Sequence, residues 1–365
     1  MKRLAFAASL AALLGCSAAE AAHPAPPPVP IYREIKAWVL ACDNTRFCVA
    51  KFVNDDFESS LPREAKPGYL SITRQAGPQG ALVVRLETWG EEEGSPDPAR
   101  LRLDGAMAPA QGWRRIPSEG AAILEGPAAL DFVRSLRPRQ TLAYGPVASD
   151  PQVSLSGLSA VLLAMDEAQG RLDTETALVR IGSAPASDVL AAPRPPLLIQ
   201  GPTPPALAGA QAFAAAVRKS QARTLQAHDC TAEQHAADEA HALNAATVLV
   251  TLGCFFGAYQ GNVLAFTAPA GHPEQAKLLV LPSPPTLDPP EPEWAGAYTE
   301  GGFDPERMTF FEAARGRGLA DCGISTSWVF DGRTFHLAEF HRQERCGGPP
   351  GDWPTLFRSE VRPAS

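Results

Sequence analysis

The side chains best equipped for chemistry lie in two histidine-rich stretches of the C-terminal half. The first stretch and the residues after it hold four histidines and three carboxylates: His228, Asp229, His235, Asp238, Glu239, His241 and His272. On a helix, His235 and Glu239 would share a face at a spacing of i, i+4. Asp238 and His241 would share another at i, i+3, so one pair plus outside ligands could hold a metal ion. Because the two pairs do not share a face, a solvated helix surface explains the same residues without a metal.

The second stretch, HLAEFH at residues 336–341, differs from the helical zinc motif H-E-x-x-H. Alternate side chains of a β-strand point to opposite faces, so His336 and His341 would lie on different faces. Glu339 and His341 would share one face and could act as an acid–base couple. A polar strand edge is the alternative interpretation of the same pattern.

Motifs for nucleophilic or nucleotide chemistry are missing from the sequence. Residues 157–160 (GLSA) fall one glycine short of the G-x-S-x-G nucleophile elbow and lie in a helical context. Neither a Walker A loop nor a G-x-G-x-x-G fingerprint occurs, and residues 315–318 (RGRG) are typical of a loop. The sequence therefore predicts no catalytic residue, no metal site and no cofactor.

Aromatic residues near the C-terminus offer a possible recognition surface. Trp328, Phe335 and Trp353 could present such a surface, together with Phe330. Aromatic residues at hairpin spacing are, however, more typical of a core.

The element that would position these residues is a hairpin around Asp331-Gly332. Apolar residues flank this pair, which predicts two strands joined by a two-residue turn. Cys322 and Cys346 lie on either side, and a bond between them would clamp the open end of the hairpin.

Seven cysteines occur in the chain, and one of them, Cys16, belongs to an N-terminal export signal. The other six predict three disulfides between sequence neighbours: Cys42–Cys48, Cys230–Cys254 and Cys322–Cys346. Each pair lies within one local unit, and none crosses the proline-rich boundary described below.

Residues 1–21 are typical of a signal peptide, with cationic residues followed by an apolar run too short to span a bilayer. Leu13-Leu14-Gly15-Cys16 resembles a lipobox, which predicts cleavage before Cys16 and lipidation of this cysteine. The alternative is ordinary cleavage after Ala19-Glu20-Ala21. Both predict export, to the periplasm as a soluble protein or as a lipoprotein held at the membrane only by its lipid.

Proline clusters divide the chain, which has 365 residues, 36 prolines and a formal net charge of −8. We expect a tether at residues 22–31, a β-rich domain at 32–184, a linker at 185–205 and an α+β domain at 206–365. Residues 282–292 form a predicted surface loop. The acidic balance argues against nucleic acid as a partner.

Periodicity predicts an α+β fold, rich in β-hairpins, with a few helices and disulfide staples. Strands are expected at residues 35–40, 47–53, 69–73, 82–88, 101–103, 248–259 and 263–266, the last two joined by a turn at 260–262. Helices are expected at residues 127–136, 154–169, 205–221 and 231–244.

Several segments together resemble an uncharacterised family of exported bacterial proteins of about this length. They are WVLACDN from Trp38, CFFGAYQ at Cys254, RGLADCG at Cys322, WVFDG at Trp328 and GDWPTLFR at Gly351. The resemblance covers nearly the whole mature chain and implies six cysteines and export, but no reaction. The segment from Trp38 to Cys48, with VSLSGLSAVL near Gly157, is also similar to invasion-associated locus B type periplasmic domains, over the first half only.

Two functional hypotheses follow. The first is a non-enzymatic cell-envelope protein that presents disulfide-stabilised β-rich surfaces to an envelope protein or ligand. The alternative is an envelope hydrolase or metal-dependent enzyme that uses the His and Glu residues of the C-terminal domain.

Overall fold

The computed structural model of the chain describes residues 26–54, 68–88, 94–230, 238–287 and 294–364. Antiparallel sheets dominate these ranges and helices pack beside them, so the predicted α+β class is confirmed. No helix in the same ranges is long and apolar enough to cross a membrane. The predicted signal peptide with Cys16, the tether up to residue 25, and His235 lie outside the described residues.

Two antiparallel sheets build the N-terminal half. Its strands are β1 (Ile31–Ile35), β2 (Trp38–Cys42), β3 (Cys48–Phe52), β4 (Gly68–Arg74), β5 (Leu82–Thr88), β6 (Arg102–Leu103), β7 (Ala106–Met107), β8 (Arg114–Ile116), β9 (Ala121–Glu125), β10 (Thr141–Ala143) and β11 (Gln152–Ser154). The larger sheet has the order β1-β2-β3-β4-β5-β9-β8, and the smaller has the order β11-β10-β6-β7. The strand predicted at residues 35–40 is present as β2 but begins later, at Trp38, because Lys36 turns the chain with a φ of 53° between β1 and β2.

Helices α1 (Gly126–Leu136) and α2 (Leu158–Ala168) cover the larger sheet and close the main core. Trp38 is fully buried there, and its indole donates a hydrogen bond to the carbonyl of Ser154. Helix α2 begins four residues later than predicted, since Ser154 belongs to β11 and Gly157 has a φ of 94°. A Cβ at Gly157 would lie 2.7 Å from the carbonyl oxygen of Ile35, so only glycine fits this approach.

The described residues of the C-terminal half form two five-stranded sheets, a two-stranded ribbon and two α-helices. Its elements are β12 (Leu197–Gln200), α3 (Ala210–Ser220), α4 (Ala222–Ala227), β13 (Glu239–Ala242), β14 (Thr247–Phe256), β15 (Gly261–Pro269), β16 (Lys277–Leu278), β17 (Ala297–Thr299), β18 (Gly302–Asp304), β19 (Thr309–Arg315), β20 (Gly323–Phe330), β21 (Phe335–Gln343), β22 (Thr355–Arg358) and β23 (Glu360–Pro363). One sheet joins β13-β14-β15-β16 with β17 on β15, and the other has the order β18-β19-β20-β21-β22. The facing apolar sides of these two sheets form a shared core.

Three predicted elements of this half are corrected. The helix expected at 231–244 is wrong at its C-terminal end, where residues 239–242 form β13 and pair with β14. Just before this strand, the Asp238 carboxylate accepts the backbone N–H of Gly253 in β14. The turn between β14 and β15 is at residues 257–260 rather than 260–262. The loop of the β20–β21 hairpin has four residues, 331–334, instead of the two predicted. The carboxylate of Asp331 stabilises this loop by accepting the backbone N–H groups of Arg333 and Thr334.

The proline-rich segment at 185–205 contains a strand as well as irregular chain. Its β12 pairs in parallel with β23, so the segment after the first half lies against the end of the chain. The predicted loop at 282–292 is described only up to residue 287, and the carbonyl of Pro282 accepts a hydrogen bond from Trp328.

Three disulfides join Cys42 to Cys48, Cys230 to Cys254 and Cys322 to Cys346, which is the pairing of sequence neighbours. The first closes the β2–β3 hairpin, where its two residues are cross-strand partners. The second ties the chain after α4 to β14. The third links the residue just before β20 to the loop after β21, so it closes the open end of the β20–β21 hairpin from outside both strands.

Candidate functional site

Glu339 and His341 lie on the same face of β21, as the strand periodicity predicts. His341 Nε2 is 3.7 Å from Glu339 Oε2, and Thr355 Oγ1 of β22 is 3.2 Å from His341 Nδ1. The His341 ring lowers the pKa of Glu339 against the opposing effect of partial burial, and Arg358 adds to the lowering. The result is a hydroxyl–imidazole–carboxylate row on the outer face of the sheet.

Three other histidines pair with carboxylates at separate places. His336 lies 2.8 Å from Asp331 in the hairpin loop, His241 lies 3.1 Å from Glu239 on β13, and His272 lies 3.1 Å from Glu274. Hydrogen bonds from the loop backbone and from His336 lower the pKa of Asp331, although partial burial opposes them. Each pair is formed by residues close in sequence, so these histidines do not meet in one site.

The predicted pairing of Asp238 with His241 is wrong. Asp238 instead accepts two hydrogen bonds of 2.6 Å from the guanidinium of Arg218 on α3. This ion pair is largely buried and holds α3 against the edge of the sheet. Asp238 thus has a structural role, which its position beside histidines in the sequence did not indicate.

One group of potential metal ligands comes together in the described part of the chain. Asp321, Cys322 and Cys346 have ligand atoms within 4.8 Å of one another. The two sulfur atoms are bonded to each other, and Asp321 forms an ion pair with Arg317. In the oxidised chain these atoms therefore serve the covalent framework.

The proposed aromatic recognition surface is corrected at two of its three residues. Trp328 and Phe335 are 2% and 5% exposed and belong to the core between the two C-terminal sheets. Trp353 is half-buried over Gly323, and its indole donates a hydrogen bond to the carbonyl of Ala320. Packing of the two sheets takes up the aromatic residues that hairpin spacing had grouped together.

A cleft of about 480 Å³ opens in the N-terminal half, between the end of β5, the β8 strand and the segment that joins β10 to β11. We call it the mixed-charge cleft. Its lining residues are Thr88, Ser95, Pro96, Asp97, Arg100, Arg115, Tyr144, Ser149, Asp150 and Pro151. Two guanidinium groups and two carboxylates thus converge on one concave surface.

Hydrogen bonds from the framework hold the charged side chains of the mixed-charge cleft. Arg115 donates from Nε to Ser95 Oγ and from Nη2 to the Ser95 carbonyl, both at 2.9 Å. Asp97 Oδ1 accepts the backbone N–H of Ala99, and Asp150 Oδ2 accepts that of Val147. Arg100 Nη2 lies 3.8 Å from Asp150 Oδ1. Arg115, Asp97 and Asp150 are therefore positioned before any ligand arrives. The Arg100 side chain, in contrast, makes only this weak contact among the described residues.

Tyr144 forms the floor of the mixed-charge cleft. Its hydroxyl donates a 2.5 Å hydrogen bond to the carbonyl of Tyr69, and its ring lies against Gly68. Burial raises the pKa of Tyr144 well above its usual value, so the hydroxyl keeps its proton and remains a donor. The arrangement suits recognition of a polar molecule.

Sequence reasoning did not find the mixed-charge cleft. Its four charged residues are spread from Asp97 to Asp150. Pairing of β6 with β10 brings Arg100 to Asp150 within the smaller sheet, and Arg115 comes from β8 of the larger sheet. The one local signal is Asp97-Pro98, where an aspartate caps a short 3₁₀ helix that begins with proline. This pattern indicates a helix start and carries no information on a ligand.

Comparison with known proteins places the chain among relatives of unestablished function. A family model described as "Protein of unknown function (DUF1176)" matches residues 32–360. The uncharacterized protein YpfG of Escherichia coli (strain K12) is 28% identical over 342 residues, which cover 90% of this chain and 93% of the relative. No solved structure matches the chain.

Proposed function

We propose that this chain, which belongs to the DUF1176 family, is an exported cell-envelope protein that acts as a non-enzymatic binding module. The observation that carries the proposal is the mixed-charge cleft, whose Arg115, Asp97 and Asp150 are each held by the framework at one end. Side chains that are already ordered lose little conformational entropy on binding, which favours affinity for a ligand.

Export is supported by the covalent framework. Disulfides persist in oxidising compartments and are rare in the cytosol, and this chain forms three of them. We also propose that Cys16 is acylated, because the residues before it resemble a lipobox. Intact mass of the membrane fraction tests this step: a diacylglyceryl-modified Cys16 supports it, and an unmodified N-terminus at Ala22 refutes it.

Native mass spectrometry of protein purified from the envelope tests the binding function. We expect a bound small molecule on the wild-type chain that is lost from Arg115→Gln. Arg114→Gln is the matched control, since Arg114 is the neighbouring residue on β8, does not line the cleft and forms an exposed pair with Glu125. A bound mass that survives Arg115→Gln, or no bound mass on any variant, contradicts binding through the cleft.

A second candidate function is hydrolysis at the row of Thr355, His341 and Glu339. A hydroxyl next to an imidazole that is oriented by a carboxylate is the geometry of an activated nucleophile. Ester hydrolysis lost in both Thr355→Val and His341→Ala would favour this candidate. Equal background rates in the wild type and both variants would favour the binding module.

A further inference from the structure

We propose that the mixed-charge cleft binds a neutral saccharide of one or two rings. This inference rests on the proposed binding function and names the class of its ligand. It is argued from the charges of the cleft, from the atoms that face it and from its apolar surfaces.

Among the described residues that line the cleft, the charges balance. Arg100 and Arg115 bring two positive charges, and Asp97 and Asp150 bring two negative ones. A phosphate or sulfate attracted by the arginines would also meet both carboxylates, and a divalent cation attracted by the carboxylates would meet both guanidinium groups. A ligand without net charge avoids both penalties.

Unfilled hydrogen-bonding positions of both kinds face the cleft. Within the described chain, Arg115 Nη1 and Asp97 Oδ2 have no hydrogen-bond partner, while their other atoms are held by Ser95 and Ala99. Arg100 and Asp150 approach only to 3.8 Å, and the Arg100 side chain is 56% exposed, so a ligand can replace this weak contact. A hydroxyl group both donates and accepts hydrogen bonds, so each sugar hydroxyl can bridge a carboxylate and a guanidinium.

Flat apolar surfaces complete the cleft. The rings of Pro96, Pro151 and Tyr144 line it, Pro96 and Tyr144 as buried residues, and no large aliphatic side chain occurs among the described lining residues. Such surfaces fit the C–H face of a sugar ring, whereas an acyl chain would need a continuous apolar wall. The volume of about 480 Å³ falls within the range of small-molecule sites.

Isothermal titration of the mature chain with N,N′-diacetylchitobiose and with maltose tests the inference, beside inorganic phosphate, calcium chloride and glycylglycine. We expect at least one disaccharide to bind and phosphate and calcium not to bind. Glycylglycine has no net charge but lacks hydroxyl groups that can bridge a carboxylate and a guanidinium, so it should bind at least tenfold more weakly than the disaccharide. Arg115→Gln and Asp150→Asn should each lower the affinity for the disaccharide about tenfold or more, because each variant removes a charged hydrogen-bond partner. Arg114→Gln should leave the affinity unchanged.

Several outcomes overturn the inference. They are binding of phosphate, calcium or glycylglycine in place of the disaccharides, failure of both disaccharides to bind, and disaccharide binding that neither cleft variant weakens. Thermal unfolding of each variant shows whether it is folded, and Arg100→Gln replaces a variant that is not. If neither disaccharide binds but the wild-type chain purified from the envelope carries a bound molecule that Arg115→Gln lacks, the proposed ligand class is wrong and the binding function stands. If both experiments fail, the binding function falls as well.

Discussion

Lys51 Nζ lies 2.6 Å from Asp352 Oδ2, and this contact joins β3 of the N-terminal half to a loop of the C-terminal half. The Lys51 side chain is 4% exposed and that of Asp352 is 57% exposed. The lysine also donates to the backbone carbonyl of Asp352. Its buried ammonium group therefore depends on the other half of the chain for its partners.

Asp352→Ala should lower the free energy of unfolding by about 1–3 kcal/mol, because it leaves the ammonium group of Lys51 buried without its carboxylate. Urea unfolding measures the change. Arg33→Ala is the control: its ion pair with Glu167 is about half exposed at both ends, and its loss should cost at most about 0.5 kcal/mol. Equal losses in the two variants would show that the contact between the halves contributes little.

The fold class could be predicted from the sequence because it follows from local periodicity. Leu82, Val84 and Leu86 alternate with less buried residues in β5, whose predicted bounds match the observed ones. Strand periodicity likewise placed Glu339 and His341 on one face. The local pattern gave the wrong secondary structure where a residue has a distant partner. Asp238 lies among residues compatible with a helix, but its hydrogen bonds to Arg218 and Gly253 hold the chain in an extended conformation.

The candidate site could not be predicted for a related reason. Arg100 and Asp150 are 50 residues apart in sequence and approach each other only because β6, which follows Arg100, pairs with β10, which leads into the segment that holds Asp150. Neither residue type nor spacing signals such a meeting. The histidines, in contrast, attracted attention in the sequence, but the structure pairs His241, His272 and His336 each with a nearby carboxylate at its own place.

Partly buried Glu312 should make stability depend on pH. Burial raises the pKa of this residue, which lies opposite Thr326 of the neighbouring strand, to about 7. Because the folded chain holds this proton more tightly than the unfolded chain, the free energy of unfolding should fall as the pH rises from about 4.5 to about 7.

Glu312→Gln removes this ionisation and should stabilise the chain by about 2 kcal/mol at pH 8, with little effect at pH 4.5. Chemical unfolding at the two pH values measures the difference. Glu306→Gln removes the same charge from an exposed position and serves as the control. A gain that is equal at both pH values would exclude ionisation of Glu312 as its cause.

The disulfides should differ in their contributions to stability. Cys322 and Cys346 are 24 residues apart and Cys42 and Cys48 only 6, and a longer closed loop restricts the unfolded chain more. Replacing Cys322 and Cys346 by serine should lower the free energy of unfolding by about 3 kcal/mol, and replacing Cys42 and Cys48 should lower it by about 2 kcal/mol. Non-reducing peptide mapping checks the pairing, and a peptide linking Cys42 or Cys48 to a cysteine beyond residue 200 would contradict it.

The loop closed by Cys322 and Cys346 also reaches the N-terminal half. The carbonyl of Gly347, the residue after Cys346, accepts a hydrogen bond of 3.2 Å from the backbone N–H of Asn54. The guanidinium of Arg345 donates a hydrogen bond to the carbonyl of Lys36. Hydrogen exchange in β2 and β3 should therefore become faster when the Cys322–Cys346 bond is removed. Unchanged exchange there would show that the halves are independent.

Gly68 and Tyr144 should together set the shape of the mixed-charge cleft. A Cβ at Gly68 would lie 3.0–3.3 Å from three carbons of the Tyr144 ring. The ring is buried and tied through its hydroxyl to the carbonyl of Tyr69, so it has little room to move away. Gly68→Ala should therefore cost about 1–3 kcal/mol of stability and weaken any ligand of the cleft.

Two further variants separate crowding from a general effect of alanine. Gly318→Ala adds a Cβ at 3.8 Å from Tyr259, an ordinary contact, and should change stability by less than about 0.5 kcal/mol. Tyr144→Phe removes the hydrogen bond that fixes the ring and should lower the free energy of unfolding by about 1 kcal/mol. In the double variant the ring can shift, so Gly68→Ala should then cost less stability than it does in the wild type. Urea unfolding of the four combinations of Gly68 and Tyr144 variants measures this coupling, and additive losses would show that the hydroxyl does not hold the ring in place.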